Sequence, residues 1–236
     1  MTRRFAADRP VERADLDLLL DLGGRGPSAG FSQGGEYVVL VEPADRAAFW
    51  AAATPATPAV EDVGGAAPAV GADAGASPGL GRDEARRAWL AGVRAAPVLI
   101  LVLADEGAYR RRYAAADKGG TPPDRQAWPV PYWLTDRAMG AMLILLGATD
   151  LGLGALFFGV PGARHGAVAR AFAIQPDWVL LGVIAVGHEA RRVGGSARHR
   201  RRRPPAEFTH WGAYGVARPG PDPRVGDNAG QTDTAP

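Results

Sequence analysis

Two hydrophobic rhythms alternate along this chain. In residues 10–22 the apolar positions Val11, Leu16, Leu19 and Leu20 fall near helical spacing, with acidic residues between them, which predicts a helix. "EYVVLVEP" (36–43) is a short β-branched run closed by proline, hence a strand. Helical patterns return at 45–53 and 82–94. "APVLILVLAD" (96–105) is unbroken apolar sequence of strand length, the pattern of a central strand buried on both faces. A long apolar helix follows at 134–150, with Thr135-Asp136 offering cap chemistry at its start. Strand, amphipathic helix and strand then occupy 153–161, 163–173 and 177–188. Helices and strands alternate without regular βαβ units, so an α+β fold is expected, a mixed central sheet flanked by helices.

The connections are as informative. Residues 23–35 form a loop rich in glycine and serine, and 107–133 an irregular, aromatic-rich link with short helices. Residues 54–81 are Pro/Ala/Gly-rich and aperiodic. Such a stretch buries too little apolar surface to offset its ordering entropy, and we expect a low-complexity mobile loop inside a single domain of 1–215. The remainder, 216–236, reads as a disordered tail. Residues 141–160 have the length of a membrane span, but Thr149-Asp150 interrupts them and Gly152 and Gly154 split the pattern. A buried helix leading into a strand fits better, and no membrane association is expected.

Composition narrows the chemistry. A chain of 236 residues, 47% hydrophobic, can build one substantial core. Its net charge of +2 excludes a general polyanion binder. There is no cysteine, which excludes disulfides, thiolate metal sites and cysteine nucleophiles and suits a reducing cytoplasm. The start, "MTRRFAADRPV", has no apolar run of signal-peptide type. The four histidines are scattered, without metal-site spacing or HExxH. Gly26-Pro27-Ser28-Ala29-Gly30 has the letters of a nucleophile elbow, but it follows a helix and precedes a strand, the reverse of the required order.

The positive charge is local, ending in "RHRRRRPPAEFTHWGAYG" (198–215). It could be a phosphate pocket, a solvated patch or a nucleic-acid tail. The last is disfavoured because aromatic and acidic residues follow, not further basic ones. Arginine binds a doubly charged phosphate ester bidentately, and the prolines would stiffen the exit from such a pocket.

In order and spacing, "RRFAADRPV" (3–11), "GPSAGFSQGGEYVVL" (26–40), "AYRRRYAAADKGG" (108–120), "WPVPYWLTDRAMGAMLILLGATDLGLGALFFGVP" (128–161), "LGVIAVGHEA" (181–190) and "RRRRPPAEFTHWGAYG" (200–215) resemble the FMN-dependent nitroreductase family, in particular an actinobacterial-type branch. The resemblance covers most of 3–215 outside the low-complexity loop. It implies that Arg201 and Arg203, with Pro205, match the family's basic pattern that contacts the FMN phosphate. Pro27, Ser28 and Gln33 match its Pro-Ser-x-x-Asn-x-Gln flavin loop, which includes Ala29. Phe31 replaces the asparagine, and Gly34-Gly35 a common Pro-Trp. Arg3 falls near the flavin pyrimidine edge, whereas the family's Arg-x-Ser falls at or before Met1. Backbone at Phe157, Phe158 and Gly159 is expected against the isoalloxazine, and Trp128, Tyr132 and Trp133 on the substrate side.

The resemblance further implies a homodimer with an exchanged C-terminal arm, FMN as cofactor and NAD(P)H as co-substrate. The reaction would carry hydride through the flavin to an electron-poor small molecule, a nitroaromatic or a quinone. The alternative is a flavin- or deazaflavin-binding relative with a biosynthetic oxidase or non-catalytic binding role. No catalytic side chain and no metal is expected, because the flavin carries the chemistry.

Overall fold

The computed structural model describes residues 1–54, 82–121, 124, 128–190 and 201–218. The expected mobile loop, apart from Thr54, and the tail beyond Arg218 lie outside these residues. The chain divides into two compact units, Met1–Ser196 and Ala197–Pro236.

In the first unit the elements run α1 (Arg13–Gly24), β1 (Gly35–Leu40), α2 (Pro43–Ala53), α3 (Arg82–Arg94), β2 (Val98–Asp105), α4 (Glu106–Tyr113), α5 (Tyr132–Asp150), β3 (Gly154–Phe158), α6 (Gly162–Ala171) and β4 (Trp178–Gly187). The strands form one sheet in the order β1-β2-β4-β3. β2 is buried along its whole length, and its side chains alternate between two cores. Leu99, Leu101 and Leu103 join Phe49, Trp50, Val93, Phe158 and Val168 on one face. Val98, Ile100 and Val102 join Leu16, Leu19, Ala141 and Ile144 on the other. The sheet is thus the middle of three layers, with α2, α3 and α6 on one side and α1 and α5 on the other. This is why its central strand reads as continuous apolar sequence.

The fold is α+β with a helix-flanked central sheet, as expected, but all described strand pairings are antiparallel, so the sheet is not mixed. For β3 and β4 the reason lies in α6. Phe158 at the end of β3 faces Val183 in β4, and β4 begins at Trp178. The chain therefore leaves and re-enters the sheet at the same end, and α6 is an excursion rather than a crossover.

Two boundaries differ for local reasons. Pro43 does not close β1; it opens α2, where its fixed φ and missing N–H suit a first turn. Helix α5 begins at Tyr132 rather than Leu134, so Asp136 lies within the helix and is not its cap. Among the described residues no helix is long and apolar enough to cross a membrane; residues 141–160 are the second half of α5, a turn and β3.

Candidate functional site

Residues 27–33 join α1 to β1 and turn sharply. Gly30, Phe31 and Gln33 all have positive φ, at 63°, 56° and 50°. For phenylalanine and glutamine this is a rarely occupied region, so something must hold the loop. Three residues do. The Asp136 carboxylate accepts hydrogen bonds from the Ala29 backbone N–H (2.7 Å) and from the Tyr109 hydroxyl (2.8 Å). Arg112 Nε donates to the Gly30 carbonyl at 2.8 Å, and its guanidinium is fixed by two bonds to Asp117. Inside the loop, Ser28 Oγ accepts from the Gln33 N–H at 2.8 Å.

The supports come from elements the sequence positions strongly. Asp105 ends β2 and caps α4, accepting from the N–H groups of Gly107 and Ala108. That cap sets the direction of α4 and so the placement of Tyr109, Arg112 and Tyr113. Gly34 permits the approach: a Cβ there would lie 2.7 Å from the Tyr109 ring and 2.8 Å from the Asp105 carbonyl. Burial, reinforced by Asp136 and opposed by the Ser28 hydrogen bond, pushes the Tyr109 hydroxyl up to about 12.

An aromatic cluster adjoins the loop. Ala29, Trp128 and Tyr132 pack on the buried group Ala104, Tyr109 and Trp133. The Trp128 and Tyr132 rings meet edge-on at 5.6 Å. Trp133, expected on the substrate side, is only 6% exposed and belongs to that buried group.

Arg3 sits elsewhere. The Thr2 N–H bonds the Ala155 carbonyl of β3, the Phe5 N–H that of Gly92, and the Ala6 N–H that of His188. This lays the N-terminal segment along the start of β3 and the end of β4. Arg3 Nε is buried and has no hydrogen-bond partner among the described residues. A buried unpaired donor is costly, and a guanidinium there fits an oxygen-rich or anionic ligand edge, such as a flavin offers. The end of β3 also suits a flat ligand. Gly159 is exposed, with open space where a Cβ would stand. The rings of Phe157 and Phe158 point away to the two cores. That of Phe157 packs at Gly182, and that of Phe158 stacks on Trp50 at 5.6 Å, leaving their backbone as the only candidate contact.

The structure thus groups Pro27, Ser28, Ala29, Phe31 and Gln33 with Trp128 and Tyr132, and separately groups Arg3 with β3. The two groups flank opposite ends of β2. Gly34 bonds Asp105, whereas the neighbours of Arg3 align with Val98 through Val186 and Gly187. From Val98 to Asp105 is about 24 Å at the usual strand rise of about 3.4 Å.

The second unit is described by itself. Arg201 and Arg203 are exposed, and both approach Glu207, at 3.9 and 3.4 Å. Phe208, Trp211 and Tyr214 expose much of their rings, Tyr214 at 93%. The clamp residues Asp136, Tyr109 and Arg112 were not foreseen as site residues. The signal for them in the sequence was Asp136, an acidic residue near the start of a largely apolar helix.

Residues 1–188 match the model of the nitroreductase family. No curated protein matches. Several solved structures share the fold. The NfrA1 nitroreductase from B. subtilis aligns with a TM-score of 0.60 at 17% identity, over 91% of this chain and 71% of that one. A nitroreductase-like protein in complex with FMN from Desulfovibrio desulfuricans gives 0.58 at 19% identity, over 93% and 92%. An NADH dehydrogenase/NAD(P)H nitroreductase-like protein from Bacteroides thetaiotaomicron gives 0.56 at 21% identity, over 90% and 92%. The match over most of its length places this chain in the nitroreductase family.

Proposed function

We propose that the protein is a cytoplasmic, FMN-dependent oxidoreductase that passes hydride from NAD(P)H to an electron-poor small molecule, a nitroaromatic or a quinone. The observation that carries this reading is the Arg3 side chain, whose buried Nε has no hydrogen-bond partner among the described residues and which lies in the segment paired to the start of β3. Arg3 would hold the pyrimidine edge of the flavin and stabilise negative charge there. The backbone of Phe157–Gly159 would lie against the ring. Arg201 and Arg203 would bind the phosphate. Ser28, Ala29 and Gln33 would offer polar contacts from the clamped loop, and Trp128 and Tyr132 would flank the acceptor. FMN, when bound, supplies the two-electron chemistry; the chain supplies binding, orientation and charge.

The site is proposed to form between two copies. The clamped loop and Arg3 flank opposite ends of β2, a strand of about 24 Å, and this separation supports a site that takes them from different chains. The exposed aromatic residues of the second unit support an exchanged arm, since such side chains gain by covering a partner surface. An anaerobic titration of FMN-loaded protein with NADH or NADPH tests the activity. Bleaching of the flavin absorbance, reversed by menadione, is the expected result. Colour that persists with both nucleotides refutes the proposal.

A further inference from the structure

Phe31 combines three features that ordinary folding disfavours. Its φ of 56° lies in the left-handed region, where a bulky L-residue is strained. Its ring is 74% exposed, so it gains little from burial. It is also rigidly held. Its N–H bonds the Ser28 carbonyl at 2.8 Å, and the neighbouring residues Ala29 and Gly30 are fixed by Asp136 and Arg112. Glycine or asparagine would adopt this backbone with less strain and expose no apolar surface. A clamp built from two helices therefore displays a ring that the fold itself does not use. Strain maintained by surrounding structure points to function.

The chemistry of the position narrows that function. The phenyl ring neither donates nor accepts ordinary hydrogen bonds; it offers a flat apolar face. The adjoining Trp128 and Tyr132 extend the aromatic surface beside the loop. We propose that Phe31 is a specificity-determining residue whose displayed ring selects flat aromatic acceptors over compact ones by face contact. This inference rests on the flavin oxidoreductase reading above.

The full-length, FMN-loaded protein is assayed with menadione, a flat bicyclic quinone, and with ferricyanide, compact and without a ring. In Phe31→Asn the ratio of the menadione KM to the ferricyanide KM rises about tenfold, the scale of one lost aromatic contact. In Phe31→Trp the ratio stays within about twofold of wild type, because a face is retained. Thermal denaturation without FMN gives a readout independent of turnover: Phe31→Asn and Phe31→Gly melt above the wild type because strain is relieved. An unchanged KM ratio in Phe31→Asn with FMN bound overturns this inference alone, as does lower melting of both relaxed variants. A wild-type protein that takes up no FMN overturns the flavin reading and this inference with it.

Discussion

Asp136, inside α5, accepts a 2.7 Å hydrogen bond from the backbone N–H of Ala29, in the loop that leaves α1. The same oxygen accepts the Tyr109 hydroxyl at 2.8 Å. One buried carboxylate thereby ties two helices to the loop that presents Phe31.

Replacing that carboxylate should loosen the loop. Asp136→Ala leaves the Tyr109 hydroxyl and the Ala29 N–H without their acceptor, and we expect a loss of about 2–3 kcal/mol, measured by urea denaturation. Asp136→Asn keeps an acceptor oxygen and should lose less. Equal stability of Asp136→Ala and wild type would contradict the clamp.

Tyr109 makes the clamp sensitive to alkali. Its hydroxyl is pushed from 10.0 up to about 12, chiefly by burial. Between these values the unfolded chain has released the proton and the folded chain has not. The Tyr109 contribution is therefore complete below about pH 10 and is lost as pH rises toward about 12. Tyr109→Phe should be less stable than wild type at neutral pH, with a gap that narrows over this alkaline window. Denaturation curves across the pH range check it, and a constant gap would contradict it.

Helices α1 and α5 touch through glycine. A Cβ on Gly140 would stand 2.7 Å from the Gly23 carbonyl oxygen, a backbone atom that cannot swing aside. Gly140→Ala should cost about 1–3 kcal/mol by overpacking. Because α1 leads into the loop proposed to contact flavin, FMN affinity should fall as well, as read by fluorescence titration.

The exposed arginine pair should act on the phosphate alone. Substituting both Arg201 and Arg203 with alanine is expected to weaken FMN binding by about tenfold or more, the scale of a lost charge-assisted hydrogen bond. Binding of riboflavin, which lacks the phosphate, should change far less. Parallel loss of both ligands would assign the arginines a different role.

Much of this architecture was written in local pattern. The run from Val98 to Asp105 could be placed at the sheet centre because each neighbouring side chain meets a different core. The loop around Ser28 was recognisable from its glycine-serine chemistry and its order between helix and strand. The clamp was not legible, because Ala29, Tyr109 and Asp136 are far apart in sequence and meet only after three elements pack. Asp136 was misread as a cap because aspartate favours that role; α5 begins four residues earlier, after Pro131. The antiparallel sheet was missed because sequence pattern reveals that α6 is a helix, but not that it returns to the same end of the sheet.

We propose that FMN is held between two copies of the chain, by Arg3 from one and the clamped loop from the other. The most direct measurement is an FMN fluorescence titration of the purified protein, with its molar mass taken by light scattering on the same sample. One FMN per chain on a dimer is expected, with uptake weakened at least about tenfold in Arg3→Ala by loss of a charged hydrogen bond. A monomer that binds FMN stoichiometrically, or a dimer that binds none, would contradict it.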